Sequence, residues 1–423
     1  MKYKKLTLSN GIRLILVPVQ DNPSVTVVIS CECGSENESR NINGISHFLE
    51  HMLFKGTPQR PSALIVSSEL DSVGAESNAM TSNQVTMYYA KAQKKHWKKL
   101  FDVISDIYLN PIFPTTELEK ERGVIIQEIQ MYKDLPHKYV WNLLSELLYG
   151  DTPAGRPVIG SIENVRRFSR KDFLNYHKKH YIPQNTVVVV AGDVDEKAIK
   201  EQVKKTLGSI NGGHKENKKT FRENQKAPAL TLLKKKSDQT HMVMAFRGYK
   251  ISDKKSIVAS VLMSILGAGM SSRLFQRLRE EMGACYYVYS YHEAEKDRGL
   301  APIATGIDPK RACEVIEALI DECKKLTKEK VSDAELNKVK DYKVSHLYMG
   351  LETTDSLASY YMSEEISGGR IKNPLDREKE IRSVTPDSIM ELAKELFTDK
   401  NLNLAIIGDI KDESKIKKSL TFK

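Results

Sequence analysis

His47, Glu50 and His51 place two imidazoles and a carboxylate in five consecutive residues, His47-Phe-Leu-Glu50-His51. On a helix of 3.6 residues per turn these positions fall within an arc of about 100°. Two histidines four residues apart can grip one metal ion, with the carboxylate standing beside it. Their neighbours Ile45, Phe48, Leu49, Met52, Leu53 and Phe54 make the helix apolar nearly all round, so it is expected to be buried. Buried titratable side chains need partners, and a metal ion is the simplest one for this set. The order H-x-x-E-H reverses the familiar H-E-x-x-H and points to zinc-assisted hydrolysis of peptides.

A tetrahedral catalytic zinc takes three protein ligands and keeps its fourth position for water. Glu128 is the candidate third ligand, because it sits among Ile125, Ile126 and Ile129, an apolar setting for a carboxylate. Pro114-Thr-Thr-Glu-Leu-Glu119 reads as the start of its helix, with Thr116 and Glu119 as a capping box. Glu121 and Glu128 lie two turns apart and share a face. His177 and His180 are also spaced for one helix face, but no third ligand stands near them in the sequence, so they read as structural.

The stretch Gly44-Ile-Ser-His-Phe-Leu-Glu-His-Met-Leu-Phe-Lys-Gly-Thr57 closely resembles the active-site helix of the inverzincin metallopeptidases of the pitrilysin and mitochondrial-processing-peptidase family. In that family the third ligand is a glutamate separated from the second histidine by 76 residues, the spacing of Glu128 from His51. The resemblance makes Glu121, seven residues before Glu128, the residue that orients the site. Ser77-Asn-Ala-Met-Thr-Ser-Asn-Gln-Val-Thr-Met-Tyr-Tyr89 resembles the family's substrate-binding edge strand, with Asn78 and Ala79 at its Asn-Ala pair. Gln84 departs from the family, which usually has Glu there. Further on, the stretch from Gly267 to Ser290 resembles one that holds an arginine and a tyrosine seven residues apart, matched by Arg279 and Tyr286. The resemblance gives that pair the task of binding the substrate backbone from a domain facing the zinc. Single-chain pitrilysins have four domains and this chain has two, so the resemblance implies a homodimer in which each subunit completes its partner's site.

Together these readings give one zinc per chain held by His47, His51 and Glu128. Glu50 is the general base, Tyr286 an oxyanion donor, and extended, unstructured peptides are the substrates. A peptide added as a strand beside Asn78 and Ala79 would bind through its backbone with loose sequence demands. The alternatives left open are a non-catalytic peptide-binding or assembly subunit and a zinc hydrolase of a non-peptide amide.

The elements that must position these residues come from a duplicated chain. A strand ending in Gly192-Asp193 recurs as one ending in Gly408-Asp409, and the two aspartates are 216 positions apart. A capped helix precedes each strand, with Ser169 and Thr385 as the caps. The expected division is an N-terminal zinc-binding domain over 1–212, a polar, glycine-rich linker over 213–226, and a homologous domain over 227–423. The second domain offers neither His nor Glu in Ser256–Leu266, so it lacks the metal site. Alternating strands mixed with long helical patterns give an α+β fold, each domain a mostly antiparallel sheet with helices on one face. The chain of 423 residues is 40% hydrophobic, enough for two substantial cores.

The net charge of +10 comes from lysine runs such as Lys94–Lys99 and Lys234–Lys236 that read as solvated faces. No motif for reading nucleic acid accompanies them. No apolar run reaches the length of a membrane span, and the first residues read as a strand and an Asn10-Gly11 hairpin turn rather than a secretory signal. Cys31, Cys33, Cys285, Cys313 and Cys323 are odd in number and lack C-x-x-C spacing, so a reducing, cytoplasmic setting is expected.

Overall fold

The computed structural model describes all residues except 1, 211, 217–220, 222, 369 and 423. The chain opens with a hairpin: β1 (Lys4–Thr7) pairs antiparallel with β2 (Arg13–Pro18). The turn lies at Asn10-Gly11, where Gly11 adopts φ 101° and its N–H donates to the Leu8 carbonyl at 2.9 Å. The strands β3 (Ser24–Cys31), β4 (Glu76–Thr81), β5 (Thr86–Gln93) and β6 (Thr186–Gly192) complete a six-stranded sheet in the order β1-β2-β6-β3-β5-β4. All pairs are antiparallel except β2 with β6. β4 is the free edge.

Every residue of β6, Thr-Val-Val-Val-Val-Ala-Gly, is buried, as a strand covered on both faces requires. β3 shows what covers it. Cys31 faces the Arg170–His180 helix, its thiol donating to the His180 carbonyl at 3.2 Å. Thr26 points the other way and meets Thr354, at the start of the Thr354–Ile366 helix, with hydroxyls 2.9 Å apart.

The second unit repeats the plan. β7 (Ala229–Lys234) lies parallel to β12 (Leu402–Gly408), which pairs antiparallel with β8 (Thr240–Arg247), and β8 with β11 (Gly299–Ile307). β9 (Cys285–Ser290) and β10 (Glu293–Ala294) both pair with the far side of β11 and form the edge. The Pro136–Tyr149 helix packs on β12, β8 and β7. The fold is α+β, in two mixed and mostly antiparallel sheets.

The compact units are not the contiguous stretches 1–212 and 227–423. One comprises Met1–Met131, Asp151–Lys219 and Met349–Asn373; the other comprises Tyr132–Gly150, Thr220–Tyr348 and Pro374–Lys423. Each half of the sequence lends a helix to the other half's sheet. The physical reason is that an amphipathic helix buries its apolar stripe on whichever sheet face is uncovered, and its own periodicity does not name the sheet. Of the linker expected over 213–226, residues 217–220 and 222 lie outside the described residues. The capping box expected at Thr116 is also displaced: the Thr115–Asp134 helix already includes Thr116 in its first turn, and the Leu118 N–H donates to the Pro114 carbonyl at 2.9 Å. No helix among the described residues is long and apolar enough to cross a membrane.

Candidate metal centre

The helix Ile45–Leu53 buries Ile45, Phe48, Leu49, Met52 and Leu53, with Phe48 edge-on to Phe173 at 4.9 Å. Its amino end starts at Gly44, φ 101°, where a Cβ would lie 2.8 Å from the Gly160 Cα, so only glycine fits. The first N–H groups of a helix lack intrahelical acceptors and attract negative charge. Glu38, 2% exposed, supplies it: its carboxylate accepts from the Gly44 and Ser46 N–H groups, each at 2.7 Å, and from Asn43 Nδ2 at 3.0 Å. Burial pushes Glu38 up to about 7, against the downward pull of bonds from Ser46, Gly44 and Asn43. Glu38 stands outside the ordinary cap positions, so no local signal in the sequence marks it. The Ser46 hydroxyl lies 2.8 Å from the Tyr176 hydroxyl, which tethers the same turn to the Arg170–His180 helix.

With the apolar face packed, His47, Glu50 and His51 share the opposite side. The Thr115–Asp134 helix brings Glu128 to them. His47 Nε2 and His51 Nε2 lie 3.8 and 3.9 Å from the same oxygen, Glu128 Oε2. One donor atom from each residue fits within 4.8 Å of the other two. These separations are too long for hydrogen bonds. Ligands about 2.1 Å from a tetrahedral zinc stand about 3.4 Å apart, so this donor set fits the ion with a small contraction. Burial, with the nearby His51 adding, holds His47 down at about 3, so its imidazole is neutral with a lone pair to offer.

Around these donors stand Glu121, Lys55 and Glu50. Glu121 Oε2 lies 3.0 Å from His51 Nδ1, and Glu121 Oε1 lies 2.5 Å from Lys55 Nζ. Burial alone would raise the Glu121 carboxyl, but its bonds to Lys55 and His51 outweigh burial and hold it below the usual range. Burial raises Glu50, and the charge of Glu128 adds to that, while hydrogen bonds from Thr81 and the proximity of His51 act against it. Thr81 ends the edge strand β4, so the carboxylate beside the candidate ligands also touches that strand.

On β4 itself Asn78 is exposed and Ala79 half-buried, with the Ala79 N–H donating to Asn78 Oδ1 at 2.9 Å. The β4–β5 turn is pinned from beneath: the Ser35 and Glu36 N–H groups donate to the Ser82 and Asn83 carbonyls at 3.2 and 2.9 Å. Gln84 Nε2 donates to Glu36 Oε2 at 3.4 Å. A glutamate at 84 would set two carboxylates against each other there, which the amide avoids.

Arg279 and Tyr286 belong to the second unit and lie together in it. Phe275–Glu281 is a π-helical turn, and the Arg279 guanidinium sits 5.3 Å from the centre of the Tyr286 ring and donates to the Tyr286 carbonyl. Tyr286 is the second residue of β9, with its side chain open to solvent, 70% exposed. The counterpart of the metal-site helix, Lys255–Gly267, contains neither His nor Glu. His177 Nε2 lies 2.8 Å from the Tyr108 carbonyl oxygen, and His180 is buried against Tyr176.

Two sheets of one plan, with two histidines and a glutamate converging beside the first, are the features to set against known proteins. The family model described as insulinase (peptidase family M16) matches residues 14–161, and the one described as peptidase M16 inactive domain matches residues 167–342. The uncharacterized zinc protease YmxG of Bacillus subtilis is 34% identical over 409 residues, covering 96% of this chain and 98% of that protein. The uncharacterized zinc protease SCO5738 of Streptomyces coelicolor is 32% identical over 419 residues, 97% of this chain and 90% of that protein. A protease of Helicobacter pylori superimposes with a TM-score of 0.89 at 22% identity, covering 96% of this chain and 99% of its own, which shows the shared fold. The chain belongs to the M16 peptidase family, the pitrilysin-type zinc metallopeptidases.

Proposed function

We propose that the protein is a zinc-dependent endopeptidase of extended, unstructured peptides. The observation that carries this reading is the convergence of His47, His51 and Glu128 on one point, with Glu50 beside them and in contact with β4. One zinc per chain would be held by these three residues, and a bound zinc supplies an activated water and polarises the scissile carbonyl. Glu121 holds the His51 ring by its Nδ1 side and leaves Nε2 for the metal. Glu50 takes a proton from the attacking water and returns it to the leaving amine. The free edge of β4, with Asn78 and Ala79, receives the substrate backbone as an added strand, which selects for unfolded peptides.

The chain's resemblance to four-domain pitrilysins supports a homodimer in which Arg279 and Tyr286 of one subunit bind the substrate, and stabilise its oxyanion, in the site of the other. All five cysteines are unpaired, which supports a reducing, cytoplasmic setting. The test compares metal content and cleavage of a quenched-peptide mixture for wild type and Glu50→Gln. About one zinc in both, with cleavage by wild type alone, is the expected result. Zinc in both with cleavage by neither would favour the peptide-binding or assembly subunit. Absence of zinc from the wild type would remove the reading.

A further inference from the structure

Glu121 and Glu128 are chemically identical, sit two turns apart on one helix, and both approach His51. What separates their roles is Lys55. Its Nζ holds Glu121 Oε1, while Glu121 Oε2 engages His51 Nδ1, so both oxygens of that carboxylate are occupied. Glu128 has no lysine or arginine within ion-pairing distance among the described residues; its Oε2 lies 3.8 and 3.9 Å from the two histidine Nε2 atoms.

We infer that Lys55 is the positioning residue that assigns the two glutamates, holding Glu121 as the orienter of His51 and leaving Glu128 as the metal ligand. The inference rests on the proposed zinc site. Its physical basis is competition: an unpaired carboxylate beside a divalent cation turns toward it, whereas one already bridging an ammonium and an imidazole N–H is held in place. The pair is only partly open to water, with Lys55 and Glu121 side chains 21% and 11% exposed, so solvent screens it less than a surface ion pair.

The backbone is built to hold Lys55 at this point. The Lys55 N–H donates to the Met52 carbonyl at 3.1 Å, ending the helix. Gly56, φ 133°, turns the chain, and its carbonyl accepts from the Ile112 N–H at 3.1 Å. The Thr57 hydroxyl donates to Asp106 Oδ2 at 2.6 Å, and the fully buried Arg60 binds Asp106, Asp102 and Glu69. The segment after the metal-site helix is therefore anchored to the Trp97–Leu109 helix at several points, and Lys55 is held within reach of Glu121.

The experiment measures zinc affinity by competition with a chelator, and the visible spectrum of the cobalt(II)-loaded protein, for wild type, Lys55→Met, Lys55→Gln and Lys55→Arg. Expected results are a loss of about 10- to 100-fold in zinc affinity for Lys55→Met and Lys55→Gln, and wild-type affinity for Lys55→Arg. The cobalt spectrum of the two neutral variants should weaken as Glu121 joins the coordination sphere, and kcat should fall with KM unchanged. Melting of the metal-free proteins checks that the variants fold, and the Gln variant serves if the Met variant does not. Wild-type affinity and an unchanged spectrum in a folded neutral variant would overturn the inference alone. Failure of the wild type to bind zinc would take the proposed function down with it.

Discussion

The two units share one sheet plan but differ in what they hang on it. In each, a parallel pair (β2 with β6, β7 with β12) continues through two antiparallel strands to a free edge, β4 in one and β9 in the other. In the first unit the helix after β3 presents His47, Glu50 and His51, and the edge is short and polar, Glu-Ser-Asn-Ala-Met-Thr. In the second the helix after β8 is a plain core helix. Its edge is aromatic: Tyr287, Tyr289 and Tyr291 stack at 5.9 and 6.3 Å, with the Tyr287 hydroxyl 3.0 Å from His241 Nδ1. The comparison teaches that the sheet is a holder and that chemistry depends on the side chains of one helix and one edge.

The sharpest way to break this comparison is at Glu50. Glu50→Gln is expected to lower kcat by about 10²- to 10⁴-fold while zinc content stays at the wild-type level, read by peptide cleavage and metal analysis. Next comes the Arg60 anchor of the first unit. Arg60→Ala would leave Asp106, itself 6% exposed, as a buried charge without its partner, at a cost of about 3–5 kcal/mol in urea unfolding.

The Glu38 cap sharpens the contrast through pH. Its folded value, about 7, is raised above the ordinary 4.5, so its contribution to stability is fully present below the lower value and is lost as pH rises through the higher. The melting temperature of the metal-free wild type, measured relative to Glu38→Gln so that the buried histidines cancel, should therefore fall between about pH 5 and about pH 7, whatever the variant's absolute stability. The smallest effect lies in the second unit: Tyr287→Phe removes one hydrogen bond to His241, about 0.5–1.5 kcal/mol in thermal unfolding, with zinc content unchanged.

What could be read in the sequence was whatever is written locally. The metal-site helix announces itself in five residues, β6 and β12 in their repeated Gly-Asp endings, and the Ser169 and Thr385 caps stand where expected. Glu128 lies far from His51 in sequence, and the family spacing bridged that gap. The cap by Glu38, the bridge by Lys55 and the anchor at Arg60 were not legible, because each is a contact between segments that only the folded chain brings together. The turn after β3 was hidden in the same way: the strand stops at Cys31, and the Cys33 N–H donates back to the Cys31 carbonyl at 2.7 Å. The exchanged helices were hidden for the same reason, since an apolar stripe does not say which sheet it will meet.

That exchange sets the order in which the chain can mature. The face of β2, β6 and β3 that receives the Thr354–Ile366 helix stays uncovered until residue 366 has left the ribosome, long after β6 itself has emerged. At about 5–20 residues per second that interval lasts roughly ten to forty seconds. During it a valine-rich strand is open to solvent and to misassembly. A nascent chain cut near residue 212 would hold all three residues proposed to bind zinc and still lack the helix that closes its own sheet.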